Sequence, residues 1–172
     1  MCLCVYSKKI GIKKGDEGMK NNQLVYVKPF QSEYIPSYLD MFSPRVQELL
    51  GVSSLYEERT YLEGQLHKAS AQQTSLYGIF EQETDILIGS FEIKSPSYRS
   101  QLSMWLHEKY WGKGYFQQAF ALVKELYFKE HPQETFFSAY VDAANPRSYN
   151  ALLKAGCAFK GMHNGRYYIE CD

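Results

Sequence analysis

The chain has little of several things. No stretch approaches the roughly 18 consecutive apolar residues of a spanning helix, and no apolar core marks an N-terminal leader, so neither membrane insertion nor secretion is indicated. No sign of charge is in excess. Nineteen Lys plus Arg balance nineteen Asp plus Glu, which leaves no overall basic field to hold nucleic acid or an anionic membrane. Cysteines number only four: Cys2 and Cys4 form a C-x-C, Cys157 and Cys171 stand apart, and no second pair has zinc-ligand spacing. No metal is expected, and the thiols are expected to be free in a cytoplasmic, reducing setting. Internal repeats and low-complexity segments are absent.

What is present fits one globular domain. Hydrophobic residues make up 45% of 172, enough for a single core at a length where cores are still growing. The aromatic load of 15 Tyr and 10 Phe suits rings on half-buried strands better than a tyrosine-lined cleft. Residues 8–22, KKIGIKKGDEGMKNN, carry Lys and Gly with little periodicity, so 1–22 reads as a loosely held tail, with Met19 a candidate physiological start, and 23–172 as the domain.

From QLVYVKPF onward, alternation predicts a first strand, then SEYIPSYLDMF and SPRVQELLG predict two short helices, each behind a Ser. LYEERTYLEGQLHKASAQQ places Tyr61, Leu62, Gln65, Leu66 and Ala69 on one face and predicts a helix to about 73. SLYGIFEQ and DILIGSFEIK read as a hairpin, with SQLSMWLH a third strand after the turn residues SPSYR. A helix follows to about 130, then the strand TFFSAYV, the helix NPRSYNALLKAG between an Asn cap and Gly156, and a hairpin around Asn164-Gly165. The order is β, helices, a three-strand meander, then helix, strand, helix and two strands.

The segment KYWGKGYFQQAF puts Gly112 and Gly114 between a strand and a helix. A helix start leaves N–H groups unpaired at the positive end of the helix dipole, and glycines let that backbone approach a phosphate, so the segment is a candidate anion site with Lys109 and Lys113 adding charge. It is not a Walker loop, because Tyr115 follows Gly114 where Lys-Ser or Lys-Thr would be needed. Nor is it a dinucleotide fingerprint, because Gln117 replaces the third glycine. A lone G-x-G otherwise marks a plain helix-entry turn.

MWLHEKYWGKGYFQQAF resembles the central motif of the GNAT superfamily of acetyl-coenzyme A-dependent N-acetyltransferases, particularly its RimJ/RimL group, and VDAANPRSYNALLKAGCAFKG resembles that group's second motif. The resemblance runs from about Gln23 to the C-terminus. It departs from the pattern at Lys109, where Gln or Arg is usual, at Gln118 in place of Glu, at the two residues Ala143 and Ala144 before Asn145, and at Cys157 and Ala158, which delay the aromatic to Phe159.

The resemblance implies an α+β fold, a three-layer arrangement with a mostly antiparallel, splayed sheet of about seven strands flanked by helices. It implies acetyl-coenzyme A as co-substrate, held by Met104, Trp105, Leu106, His107, Lys109, Gly112, Lys113, Gly114, Tyr115, Phe116, Asn145 and Ser148. One N–H near Trp105 or Leu106 would hold the thioester oxygen, and Ser148 would protonate the departing thiolate. A Tyr used elsewhere in the superfamily is replaced here by Leu152. An amine attacks the thioester directly, so Cys157 needs no nucleophilic role and reads as a small buried residue.

An α-amine of pKa about 8 is partly free at neutrality, whereas a lysine-type amine near 10.4 needs a base. Glu92 is the best-placed carboxylate, set against the commoner case of an exposed strand Glu; Glu81, Tyr140 and a relay through His107 are weaker candidates. The expected function is acetyl transfer to a primary amine of a protein N-terminus, a polyamine or an amino-sugar. The alternatives are an acyl-coenzyme A sensor or scaffold without turnover, and nucleotide binding, which the failed motifs oppose. A homodimer is implied by resemblance alone.

Overall fold

The computed structural model describes residues 23–94 and 100–172. The expected tail at 1–22 and the SPSYR turn lie outside the described residues.

Seven strands form one sheet in the order β1-β2-β3-β4-β5-β7-β6. They are β1 (Val25–Pro29), β2 (Thr74–Glu81), β3 (Leu87–Lys94), β4 (Gln101–Leu106), β5 (Phe137–Asp142), β6 (Ala158–His163) and β7 (Arg166–Cys171). Every neighbouring pair is antiparallel except β4 and β5. Helices α1 (Ile35–Asp40), α2 (Pro44–Leu50) and α3 (Leu55–Ser70) precede the meander, while α4 (Tyr115–Glu130) and α5 (Pro146–Lys154) flank β5 in sequence.

Alternation along the strands builds two cores. Tyr77, Ile79, Phe91, Ile93 and Leu102 join Phe120, Val123 and Tyr127 of α4, and Leu76, Phe80, Leu87 and Trp105 join Tyr38, Phe42, Val46 and Leu62 from α1 to α3. With both faces covered, β2 and β3 are buried along almost their whole length, which explains their nearly unbroken apolar sequence.

Local chemistry sets the boundaries. Ser43 and Ser54 cap α2 and α3 by accepting from Val46 N and Glu57 N at 3.3 and 3.2 Å. The helix expected to reach about 73 stops at Ser70, because Gln72 adopts φ +58 and turns the chain into β2. Its face is narrower than the periodicity suggests: Leu62 and Gln65 are buried, but Tyr61 is 41% exposed.

The extra Ala143-Ala144 forms a turn braced by Asp142, whose Oδ1 accepts from Ala144 N and whose carbonyl accepts from Asn145 N, both at 2.8 Å. The delayed aromatic costs nothing, since β6 begins at Ala158. Gln118, where Glu is usual, ties α4 to the first strand by accepting from Leu24 N at 2.8 Å.

One expectation is corrected. Cys157 and Cys171 are not free thiols; they are joined as a disulfide with Cα atoms 4.4 Å apart. The antiparallel register puts Ala158 opposite Glu170, so the residues just outside that pair meet, a proximity that sequence spacing does not reveal.

Candidate active site

The parallel contact between β4 and β5 is a single register pair, Gln101 with Ser138, reinforced by Ser138 N donating to Ser100 O at 2.7 Å. Beyond it the strands part. The gap is a groove of about 780 Å³ whose walls include Met104, Trp105 and Leu106 on one side and Ala139 to Asp142 on the other.

Which β4 groups face this groove follows from antiparallel alternation. His107 N donates to Ile88 O at 2.9 Å, so the odd-numbered residues turn their polar groups toward β3, and Met104 and Leu106 turn theirs into the gap. The Leu106 carbonyl accepts from the Trp111 indole N–H at 2.6 Å. Of the two positions that the sequence left open, Leu106 is therefore the one whose N–H points into the groove.

The groove ends at the glycine loop. Gly112 has φ +72 and Gly114 φ +86, the left-handed region in which a side chain is strained, and Gly114 serves as the N-cap of α4. The first bond of that helix runs from Gln118 N to Gly114 O, so the N–H groups of Tyr115, Phe116 and Gln117 have no partner within it. A Cβ on Gly112 would meet nothing within 4 Å, so the loop backbone is open to a diphosphate, and the residues present fit coenzyme A.

The predicted cofactor residues divide. Met104, Trp105, Leu106, Gly112, Gly114, Phe116, Asn145 and Ser148 all line the groove. His107 and Lys109 instead line a shallow depression beside it, with Arg45, Glu108, Trp111 and Arg147. His107 Nδ1 accepts from Lys109 N at 3.2 Å, which commits the ring locally rather than to a proton relay. Tyr115 and Lys113 line neither; the Tyr115 hydroxyl donates to Glu81 Oε1 at 3.0 Å, turning its ring away from the groove.

Glu81 is withdrawn as a base for the same reason. Hydrogen bonds from Thr84 and then Tyr115, with Lys109 and Lys113 nearby, hold its carboxyl below the usual value. Asn145 spends its Oδ1 on capping α5, accepting from Ser148 N at 3.1 Å. That cap sets the half-buried Ser148 on the groove wall.

Sequence reasoning missed Trp111 and Arg147. The Arg147 guanidinium lies 3.7 Å from the Trp111 ring centroid, joining the glycine loop to the start of α5 along the groove. Nothing in the spacing of two separate motifs shows that such a pair will meet.

Glu92 is not an exposed strand carboxylate. It is 6% exposed, faces the α1–α3 side opposite Ser103, and accepts a hydrogen bond from Tyr61 at 2.5 Å through Oε2. Its Oε1 is buried without a hydrogen-bond partner, the nearest cation being Lys94 Nζ at 3.9 Å.

This carboxylate lines a second cleft of about 400 Å³ with Tyr38, Glu57, Glu58, Tyr61 and Ser90. The two clefts share Leu50, Ser103, Met104 and Trp105, so they meet at the middle of β4. Burial pushes the Glu58 carboxyl above its usual value; the Tyr38 hydroxyl pulls it partly back, and the nearby Glu92 charge adds to the rise. Tyr61 is likewise raised by burial and by its bond to Glu92.

A parted parallel strand pair, a positive-φ glycine loop opening a helix and a groove between them define an acyl-coenzyme A transferase fold. The chain belongs to the acetyltransferase (GNAT) domain family, whose model matches residues 25–158. Its activity is accordingly acetyl transfer from acetyl-coenzyme A.

Similar solved structures include RimL, an alpha-N-protein acetyltransferase of a ribosomal protein, in complex with coenzyme A, at TM-score 0.67 and 15% identity over 87% of this chain and 92% of that one. A ribosomal-protein-alanine acetyltransferase from Vibrio fischeri matches at TM-score 0.70 and 13% identity over 86% and 91%. A chimeric spermidine N-acetyltransferase from Vibrio cholerae matches at TM-score 0.63 and 14% identity over 86% and 93%. Identities this low establish the shared fold. No curated protein matches the chain in sequence. Among the described residues, no helix is long and apolar enough to cross a membrane, and no cluster of His, Cys, Asp and Glu could hold a metal.

Proposed function

We propose that the chain acetylates a primary amine in a ternary complex, with the donor in the β4–β5 groove and the acceptor in the α1–α3 cleft. The observation that carries this is the meeting of the two clefts at Met104 and Trp105, beside the inward-facing N–H of Leu106. Two reactants held in contact need no covalent enzyme intermediate.

In this proposal the loop N–H groups at Gly112 to Phe116 bind the diphosphate, and Met104 pairs with the pantetheine arm as an added strand would. As the amine adds to the thioester carbonyl, negative charge builds on its oxygen, and the Leu106 N–H stabilises that charge. Glu92 holds the incoming ammonium and takes its proton. When the carbon–sulfur bond breaks, Ser148 Oγ donates a proton to the thiolate. Asn145 acts on Ser148 by fixing the first turn of α5.

The test is thiol release from acetyl-coenzyme A with a panel of primary amines, beside thermal shift with acetyl-coenzyme A, coenzyme A, ATP and NAD. Stabilisation by the two coenzyme A species and release with at least one amine is expected. Stabilisation without release from any amine would replace the enzyme with a binding module.

A further inference from the structure

The acceptor cleft is rich in acceptors and poor in donors. Glu57 and Glu58 from α3 and Glu92 from β3 supply three carboxylates, and Tyr38, Ser53, Tyr61, Ser90 and Ser103 complete the polar lining. Three of the donors that would balance them are used elsewhere, which leaves the hydroxyls of Ser53 and Ser103. The Trp105 indole N–H is spent on the Tyr38 oxygen at 2.6 Å, Ser90 Oγ contacts the same oxygen at 3.5 Å, and the Tyr61 proton goes to Glu92.

A peptide N-terminus or an amino-sugar brings carbonyl or hydroxyl oxygens that need donors, and this lining offers few. It also offers no strand edge for a peptide backbone, since β3 and β4 pair with each other from Gly89 and Leu106 to Lys94 and Gln101. Three carboxylates exceed what a single ammonium can satisfy. Between them lie Leu50, Val52, Leu62, Leu76 and Trp105, apolar surface suited to methylene groups. Glu92 Oε1 is buried without a hydrogen bond, 3.9 Å from Lys94 Nζ, so the carboxylate keeps acceptor capacity that a ligand ammonium would use once the side chain turns toward the cleft.

We infer that the acceptor is a linear aliphatic diamine or polyamine, whose reacting amine lies at Glu92 beside Met104 and whose second ammonium lies between Glu57 and Glu58. This rests on the transfer reading above and names the substrate class of that same site. The chain enters with donors only, matching a wall of acceptors, and its methylenes cover the apolar floor. The step consumes one ammonium and one thioester and yields an amide, a thiol and one proton. Glu92 takes a proton from the ammonium and returns it to solvent, and the second proton lost from nitrogen as the amide forms replaces, through solvent, the one that Ser148 gives to the thiolate.

The experiment compares butylamine, butane-1,4-diamine, spermidine and an alanine-initiated peptide as acceptors at low ionic strength. Spermidine or the diamine should show a KM about tenfold or more below that of butylamine, the worth of one charge-assisted hydrogen bond. Glu58→Gln should raise the KM for the polyamine about tenfold more than it raises that for butylamine. Acetyl-coenzyme A thermal shift, which reads the other cleft, checks that the variant is folded. Glu57→Gln repeats the test from the cleft rim.

Equal KM values for monoamine and diamine, or a better peptide, would overturn the inference while leaving amine transfer standing. If no amine releases thiol, calorimetric titration of the protein–coenzyme A complex with spermidine decides the matter. Binding that Glu58→Gln abolishes supports the cleft assignment, and no binding ends it.

Discussion

Gly89→Ala perturbs the donor site from behind, through the side of β4 that packs on β3. Gly89 lies opposite Leu106 in the β3–β4 register. A Cβ there would collide with the carbonyl oxygen of Trp105 and come within 3.0 Å of Leu106 Cα and 3.2 Å of Ile79 Cδ1. Ile79 can rotate, but the two backbone atoms move only if β4 moves. Overpacking of this kind costs about 1–3 kcal/mol, or a Tm lowered by roughly 2–9 °C in a chain of this size. The same shift displaces the Leu106 N–H from the thioester oxygen, and misplacement by about an ångström can cost about 100-fold in rate. The assay is urea unfolding and thiol-release kinetics on one preparation, with kcat expected to fall more than the donor's affinity, since the diphosphate loop is untouched. Native stability and native kcat together would refute the claim that close approach of β3 positions the reacting end of β4.

Gly112→Ala should fail for the opposite reason. Its Cβ meets nothing, but φ +72 costs about 1–2 kcal/mol, and Gly114→Val at φ +86 should weaken coenzyme A binding similarly, as calorimetry would show. Ser148→Ala should lower kcat by roughly 10- to 100-fold with KM unchanged, the low end for a general acid because a thiol is itself acidic, and steady-state kinetics can check this. The disulfide closes a separation of 14 residues, so Cys171→Ser or added reductant should cost about 3 kcal/mol in urea unfolding. Because Glu58 is raised by burial, the folded chain holds its proton more tightly than the unfolded one. The resulting stability is complete below the usual 4.5 and lost as pH rises through the folded value; Glu58→Gln should flatten that part of a Tm-versus-pH profile.

The donor side of the site was legible in sequence because its chemistry is local. Positive φ at Gly112 and Gly114, the Asn145 cap and the Asn164-Gly165 turn each declare themselves within a few residues, and φ values of +48 and +76 at the last pair match the expected hairpin. The acceptor side was not. Glu92 alternates like any half-exposed strand residue, and only the packing of α3 against β2 and β3 decides that it is buried. Glu57 and Glu58 read as acidic residues in a helix's first turn, where they suit the dipole, so nothing singled them out. The Cys157 and Cys171 pairing and the Arg147 and Trp111 stack likewise depend on register between segments that are distant in the chain.

The two clefts share Leu50 of α2 and the middle of β4, and otherwise have separate linings. Donor and acceptor can therefore be held at the same time, so initial-rate lines for varied donor and acceptor should intersect, whereas parallel lines would mean that the carrier leaves before the amine arrives.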